Sequence, residues 1–354
     1  MMESLKKNMK SLIPEDWDIV LIFFFLAFAL RLYFALAFDV QPRYREMTTL
    51  VQFAQIGEYD KFFPPLYIIF LRTLFRIFGL ENFKAVYVAQ GFFSALTVIP
   101  MYVIARRLCN RIAGGVAAAI TAIYPNYILY SLKTLPDALS IFLVVILMLV
   151  AVIQTSDERR SYISAVITGI GMLVNPVFWF LIPGILITTK KRIAYLLIVV
   201  AFLLPWVAYS STQSRKFVPG YHKWSYSFDI DKYTQGKDRW HTVNKLYNNA
   251  SIMLKKAAIM PSWTESEKRS TYTTEYSYFI IMLLGLGGLI RLYRREHRAV
   301  ALPILLYTIL LLFFSITHVR HRSLLEPLLI LYTAILAGTL CQRILFKKSA
   351  KPAP

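Results

Sequence analysis

The chain has 354 residues, 57% of them hydrophobic and 15% aromatic, with only 17% charged and a mean hydropathy of +0.51. That composition excludes a water-soluble domain, a disordered chain, a coiled coil, a collagen-like fibre and a secreted disulfide scaffold. The net charge is +20, yet the basic residues lie between apolar runs and not on one soluble face, which argues against nucleic acid and for anionic lipid or a phosphate-bearing substrate.

In chain order, the apolar runs predict an all-α polytopic membrane protein with about ten transmembrane helices. They fall near residues 17–38, 83–106, 111–124, 136–154, 161–174, 176–189, 192–209, 275–293, 299–316 and 323–342, since crossing a hydrocarbon core takes roughly 20 apolar residues. The runs at 111–124 and 161–174 are short for a full crossing. The first run is long, carries Arg31 and has no small-residue cleavage site after it, so it is expected to remain as a helix and not be removed as a signal peptide.

Orientation follows from the short connectors, where Lys and Arg accumulate on the cytoplasmic side. Arg106, Arg107 and Arg111, then Arg159 and Arg160, Lys190 to Arg192, Arg291 to Arg298, and Arg343 to Lys351 fall in alternate connectors. Both termini are therefore expected in the cytoplasm of a plasma (inner) membrane protein. Cys109 and Cys341 fall on that side as well, so no disulfide is expected.

The body is read as one membrane-embedded domain over residues 1–342, followed by a basic cytoplasmic tail at 343–354. Two segments on the opposite face are longer than connectors. Residues 39–82 contain Met47, Leu50, Val51 and Ala54, then Ile68, Ile69, Leu71, Leu74, Phe75 and Phe78, at helical spacing that predicts two amphipathic juxtamembrane helices. Residues 210–274 carry Trp224, Trp240 and Trp263 among many Tyr, Lys and Ser residues, a composition suited to a headgroup layer and an acceptor.

Ionisable residues are sparse within the spans: Arg31, Asp137 and Glu326, the last two near the outer surface. Chemistry-bearing residues collect on the external face. Asp39, Glu46, Glu58 and Asp60 are the acids, and Arg43, Arg45, Lys61, Arg72, Arg76, Lys133, His318, Arg320, His321 and Arg322 the bases. Carboxylates beside phosphate-binding cations suit group transfer, while Arg72 and Arg76, four apart, equally suit snorkelling onto headgroups. No internal repeat or midplane ion site favours a transporter.

Beyond these residues, the chain resembles the polytopic GT-C glycosyltransferases, in the group of dolichyl-phosphate-mannose protein mannosyltransferases, aminoarabinose transferases and RgtA-like enzymes. The similarity runs through Phe63-Pro64-Pro65-Leu66-Tyr67, Leu74-Phe75-Arg76-Ile77-Phe78-Gly79, Ala105-Arg106-Arg107-Leu108 and Ala122-Ile123-Tyr124-Pro125. It continues through Tyr130-Ser131 with Asp137 following, Gly171-Met172-Leu173-Val174-Asn175-Pro176, Leu204-Pro205-Trp206, Phe217-Val218-Pro219, and Arg320-His321-Arg322 ahead of Glu326-Pro327. The departures are the missing Asp-Glu pair after the first helix, His321 in place of a tyrosine, the missing Arg-Asn after Pro-Trp, and no large C-terminal periplasmic domain expected after residue 342.

The resemblance implies an inverting glycosyltransferase that moves a sugar from a polyprenyl-monophosphate donor to an extracytoplasmic lipid, glycan or protein acceptor, with one carboxylate as base and no cofactor or metal. For the base the residues leave two candidates: Glu46, which shares a helix face with Leu50 and Ala54, and Asp39 at the outer end of the first helix. Arg320, Arg322, His318 and Lys61 are implied to hold the donor phosphate. Asp137, Lys133 and Tyr67 are implied to orient the substrates. The bland readings are a helix start for Asp137, an ion pair for Glu46, and an interfacial anchor for Tyr67. The other functions left open are a flippase-like lipid or solute carrier, an O-antigen ligase or polymerase, and a subunit working with a partner membrane protein.

Overall fold

The first helix, α1 (Trp17–Ala37), is a run of Leu, Phe and Ala opened by Asp18 in its first turn, where a carboxylate offsets the helix dipole. This computed structural model describes residues 17–38, 45–56, 63–153, 156–214, 265–294, 297–313 and 323–349. Every element described is helical. The elements that follow are α2 (Arg45–Ile56), α3 (Pro65–Phe78), α4 (Phe83–Leu96), α5 (Val98–Leu108), α6 (Arg111–Ile123), α7 (Pro125–Ser131), α8 (Asp137–Ile153) and α9 (Asp157–Val174). A 3-10 turn (Pro176–Leu181) leads into α10 (Ile182–Thr188), then α11 (Arg192–Ser214), α12 (Glu265–Leu292), α13 (Arg298–Phe313) and α14 (Glu326–Ser349).

The ten expected spans are thus helical over nearly all of their described residues. By length and apolarity, four of the described helices suffice to cross a membrane: α1, the continuous pair Phe83–Leu108, Arg192–Gln213 of α11, and Glu326–Ile344 of α14. The bent pair α6–α7 makes a fifth. The chain is a polytopic membrane protein. Shorter apolar helices fill the space between these: α8, the Pro176–Thr188 unit, Tyr276–Leu292 and Arg298–Leu310. Four boundaries differ most from expectation: α9 starts at Asp157, α11 continues to Ser214 and α12 starts at Glu265, both inside the segment read as loop over 210–274, and α14 continues to Ser349, inside the segment read as a tail.

Local sequence sets the ends of several helices. Asn82 accepts a hydrogen bond from the Ala85 amide at the start of α4, and Asn110 does the same for Ala113 at α6, at 3.1 and 2.8 Å. Pro65 and Pro125 occupy first-turn positions, where the missing N–H costs nothing. After α3 the chain turns at Gly79, whose φ of +99° disfavours any residue with a Cβ.

Small residues bring the longest helices together. A Cβ on Gly285 would lie 2.6 Å from the Leu329 carbonyl oxygen, and one on Gly288 2.4 Å from that of Tyr332, so α12 rests backbone against backbone on α14. Thr333 Oγ1 crosses the same contact to the Ile281 carbonyl at 3.4 Å.

The span α6–α7 is bent by 47° at Tyr124-Pro125, and the bend has identifiable causes. Proline cannot continue the hydrogen-bond ladder, so the last carbonyls of α6 need other donors. Arg31, with no solvent exposure, supplies them. Its guanidinium donates to Ala122 O at 2.8 Å, Thr121 O at 3.2 Å and Ala27 O at 2.9 Å, and Nε donates to Ser94 Oγ at 2.8 Å. On the other side of the break, buried Glu326 accepts from Asn126 Nδ2 at 2.8 Å and from the Tyr130 hydroxyl at 3.5 Å. One cation and one carboxylate, both inside the protein, hold the two halves at their angle.

At the end of the bundle bearing the basic connectors, Asp157 pairs with Arg160 and with Lys190 (2.6 Å), and Glu158 with Lys191 (2.8 Å). These tie the start of α9 to the connector before α11. The site residues gather at the opposite end.

Candidate active site

Most of the apolar stripe of the two juxtamembrane helices is covered by protein. Met47, Leu50, Val51 and Ala54 of α2 pack with Tyr67, Ile68, Leu71 and Phe75 of α3 in a cluster closed by Ala35, Val86, Tyr87, Leu132 and Leu135. The two helices bury their stripes against each other because α1, α4 and the 132–135 turn offer a complementary apolar wall. Ile69, Ile77 and Phe78 of α3 face outward with the exposed Arg76.

Glu46 stands in the first turn of α2, half-buried, above the Leu50 and Ala54 face. Tyr67 is not an interfacial anchor: it is 1% exposed, its ring lies 5.9 Å from that of Phe70, and its hydroxyl has no hydrogen-bond partner among the described residues. Burial pushes its phenol well above the ordinary range, and the nearby Asp137, Tyr87 and Glu46 push it further. Two acids from different elements therefore lie near enough to the same phenol to act on it electrostatically, without bonding it.

Asp137 opens α8 and is 2% exposed. Its turn is braced twice: Ser140 Oγ donates to Pro136 O at 2.8 Å and accepts from Asn175 Nδ2 at 3.1 Å, joining the start of α8 to the end of α9. Asn175 Oδ1 in turn accepts from the Val177 amide. Lys133 has its Nζ 5.9 Å from the centre of the Tyr130 ring, a cation–π contact.

The structure thus brings Glu46, Tyr67 and Asp137 to one neighbourhood, with Lys133 at its edge. Asp39, Lys61, His318, Arg320 and Arg322 lie outside the described residues. So do Trp224, Trp240 and Trp263. Among the described residues, no three His, Cys, Asp or Glu side chains group in a way that could hold a metal ion.

Further buried polar residues, not assigned a site role from the sequence, are Gln90, Thr134 and Asn126. Gln90, wholly buried in α4, donates from Nε2 to Lys133 O at 2.9 Å. Thr134 is wholly buried in the turn that follows. Asn126 and Tyr130 meet Glu326. The available signal was uncharged polarity within apolar runs, since such side chains in a span face the protein interior.

Residues 63–209 match the family model of dolichyl-phosphate-mannose-protein mannosyltransferases. No curated protein sequence is a significant match to the chain. The fold is similar to that of ArnT from Cupriavidus metallidurans bound to undecaprenyl phosphate, with 13% identity, a TM-score of 0.55, and coverage of 92% of this chain and 59% of that one. It is similar also to the apo oligosaccharyltransferase of Archaeoglobus fulgidus, with 12% identity, a TM-score of 0.58, and coverage of 94% and 51%. The archaeal oligosaccharyltransferase AglB from Archaeoglobus fulgidus, in complex with an inhibitory peptide and a dolichol-phosphate, gives 12% identity, a TM-score of 0.53, and coverage of 96% and 52%. The chain spans between half and three fifths of the length of these solved chains. The matched family segment runs from the Pro-Pro-Leu-Tyr motif through Pro205-Trp206, and the fold is similar to that of these solved chains along nearly the whole of this one.

Proposed function

We propose that the chain is an inverting glycosyltransferase that moves a sugar from a polyprenyl-monophosphate donor to an acceptor outside the cytoplasm. The observation that supports this reading is that Glu46, in the first turn of α2, and the buried Asp137, at the start of α8, both lie near the buried Tyr67, at the end of the bundle opposite the basic connectors. The lipids named with the similar structures, undecaprenyl phosphate and dolichol-phosphate, support a polyprenyl carrier. In this reading the chain crosses the membrane about ten times, both termini are cytoplasmic, and the site faces outward.

The chemistry needs little beyond these groups. Glu46 accepts the proton of the acceptor hydroxyl or amine as its heteroatom bonds to the anomeric carbon from the face opposite the phosphate. The C1–O bond to phosphate breaks, and the polyprenyl phosphate departs with the bonding electron pair. Phosphate is a good leaving group, so its departure requires cations and no general acid. Lys61, His318, Arg320 and Arg322 are assigned to hold it. The Arg fork suits this because it donates two parallel bonds to phosphate oxygens. Asp137 and Tyr67 orient the sugar and acceptor. Asp39 is the alternative base.

The test is release of free polyprenyl phosphate from a panel of polyprenyl-monophosphate sugars by the purified protein in liposomes supplied with membrane extract as acceptor source. Glu46→Gln is expected to lower release by about 100-fold or more, the usual contribution of a general base, while donor binding stays. Loss in Asp39→Asn with retention in Glu46→Gln moves the base to Asp39. If the wild type turns over no donor, the transferase reading is lost.

A further inference from the structure

The site contains three buried polar atoms that the proposed acid–base chemistry does not use. Tyr67 Oη, Gln90 Oε1 and Thr134 Oγ1 have no hydrogen-bond partner among the described residues, and their residues are 1%, 0% and 0% exposed. Leaving such an atom unbonded costs about 1–3 kcal/mol. Three around one turn are a specific feature that packing alone does not account for.

Their placement is fixed from three directions. Tyr67 comes from α3. Gln90 comes from α4, one turn beyond Tyr87, and its Nε2 is anchored on Lys133 O at 2.9 Å. That bond sets Oε1 of the same amide beside the peptide that leads into Thr134. Leu132 and Leu135, which flank Lys133 and Thr134, share one apolar cluster with Tyr67 and Tyr87. Asp137 follows at the end of the same turn, opening α8.

Two hydroxyls, each able to donate and accept, and one carbonyl acceptor match neutral hydroxyl groups. The charge of Glu46 and Asp137 disfavours phosphate at this spot, since like charges repel strongly where water is excluded. We propose that Tyr67, Gln90 and Thr134 form the subsite that binds the hydroxyls of the donor's sugar ring, with Gln90 also the positioning residue for the turn that carries Asp137. This deepens the transferase reading and rests on it.

Thr134→Val and Tyr67→Phe each delete one hydroxyl that no group among the described residues bonds, so both proteins are expected to unfold at the wild-type temperature or slightly above it. Affinity is then measured in nanodiscs for two probes, the polyprenyl-monophosphate sugars (hexosyl and pentosyl) and bare polyprenyl phosphate. The wild type is expected to prefer a sugared lipid. Each variant is expected to lose about fivefold to tenfold of that preference, while its affinity for the bare lipid stays. A preference that survives in both variants overturns the subsite, and so does a wild type that binds sugared and bare lipid alike. Equal weakening of both lipids with a lowered unfolding temperature also overturns it, since the two hydroxyls are then packing groups. A wild type that binds neither lipid removes the transferase reading itself, a result distinct from failure of the subsite alone.

Discussion

Arg31 is a cation with no solvent exposure inside an otherwise apolar helix, and its four hydrogen bonds explain how it is tolerated. Carbonyl oxygens left over by the break at Pro125 supply the negative end of the interaction, so one side chain resolves two unsatisfied sets at once. Arg31→Met leaves Thr121 O, Ala122 O and Ser94 Oγ without this donor and is expected to cost about 3 kcal/mol. Thermal unfolding in detergent checks it, with Arg31→Lys falling between the two; an Arg31→Met protein as stable as wild type refutes the assignment. The sequence shows Arg31 as the lone cation in its run but not its partners, because Ser94 and Thr121 lie 63 and 90 residues away. Tyr67 shows the same limit from the other side. A tyrosine after Pro-Pro on an amphipathic stretch reads as an interfacial anchor, and only the wall provided by α1, α4 and the 132–135 turn buries it.

Helices α12 and α14 meet through Gly285 and Gly288, which let two backbones touch where any side chain would intrude. In a lipid solvent apolar burial drives helix association weakly, so close van der Waals packing carries it. Gly288→Ala places a methyl group 2.4 Å from the Tyr332 carbonyl oxygen, a distance that real Cβ atoms do not show, so one helix must shift. The expected cost is about 1–3 kcal/mol, as for other overpacked interfaces. Gly287→Ala, whose Cβ meets nothing within 4 Å, serves as the control and is expected to be neutral or slightly stabilising. Unfolding midpoints of the pair decide it, and equal midpoints refute the close approach. Helix existence and most helix ends here were legible, since apolar runs, Asn82 and Asn110 as caps and the first-turn prolines act locally. The early start of α12 was not: Glu265 to Thr274 is polar and reads as loop.

At the scale of the whole molecule, the alternation of basic connectors gives an orientation that a thiol reagent can check. Cys341 is exposed near the end of α14, and Cys109, half-buried, closes α5 with its Sγ 3.6 Å from Thr339 Oγ1; both are free thiols. A membrane-impermeant maleimide is expected to label Cys341 in inverted inner-membrane vesicles and not in sealed right-side-out ones, with Cys109 reacting more slowly. The opposite pattern places the site in the cytoplasm and removes the extracytoplasmic acceptor. The sequence by itself determined the class of protein, because a bilayer demands long apolar helices and composition records that demand directly. The family resemblance was legible in it too, because Pro-Pro-Leu-Tyr and the segments after it are local strings, several of which fall in the region the family model matches. Only the tertiary structure decided which polar residues meet. Glu46, Tyr67 and Asp137 stand on three separate elements, and Glu326 reaches Asn126 across 200 residues. Such pairings depend on how helices cross and bend, a non-local outcome of packing that hydropathy, summed along one segment at a time, does not encode.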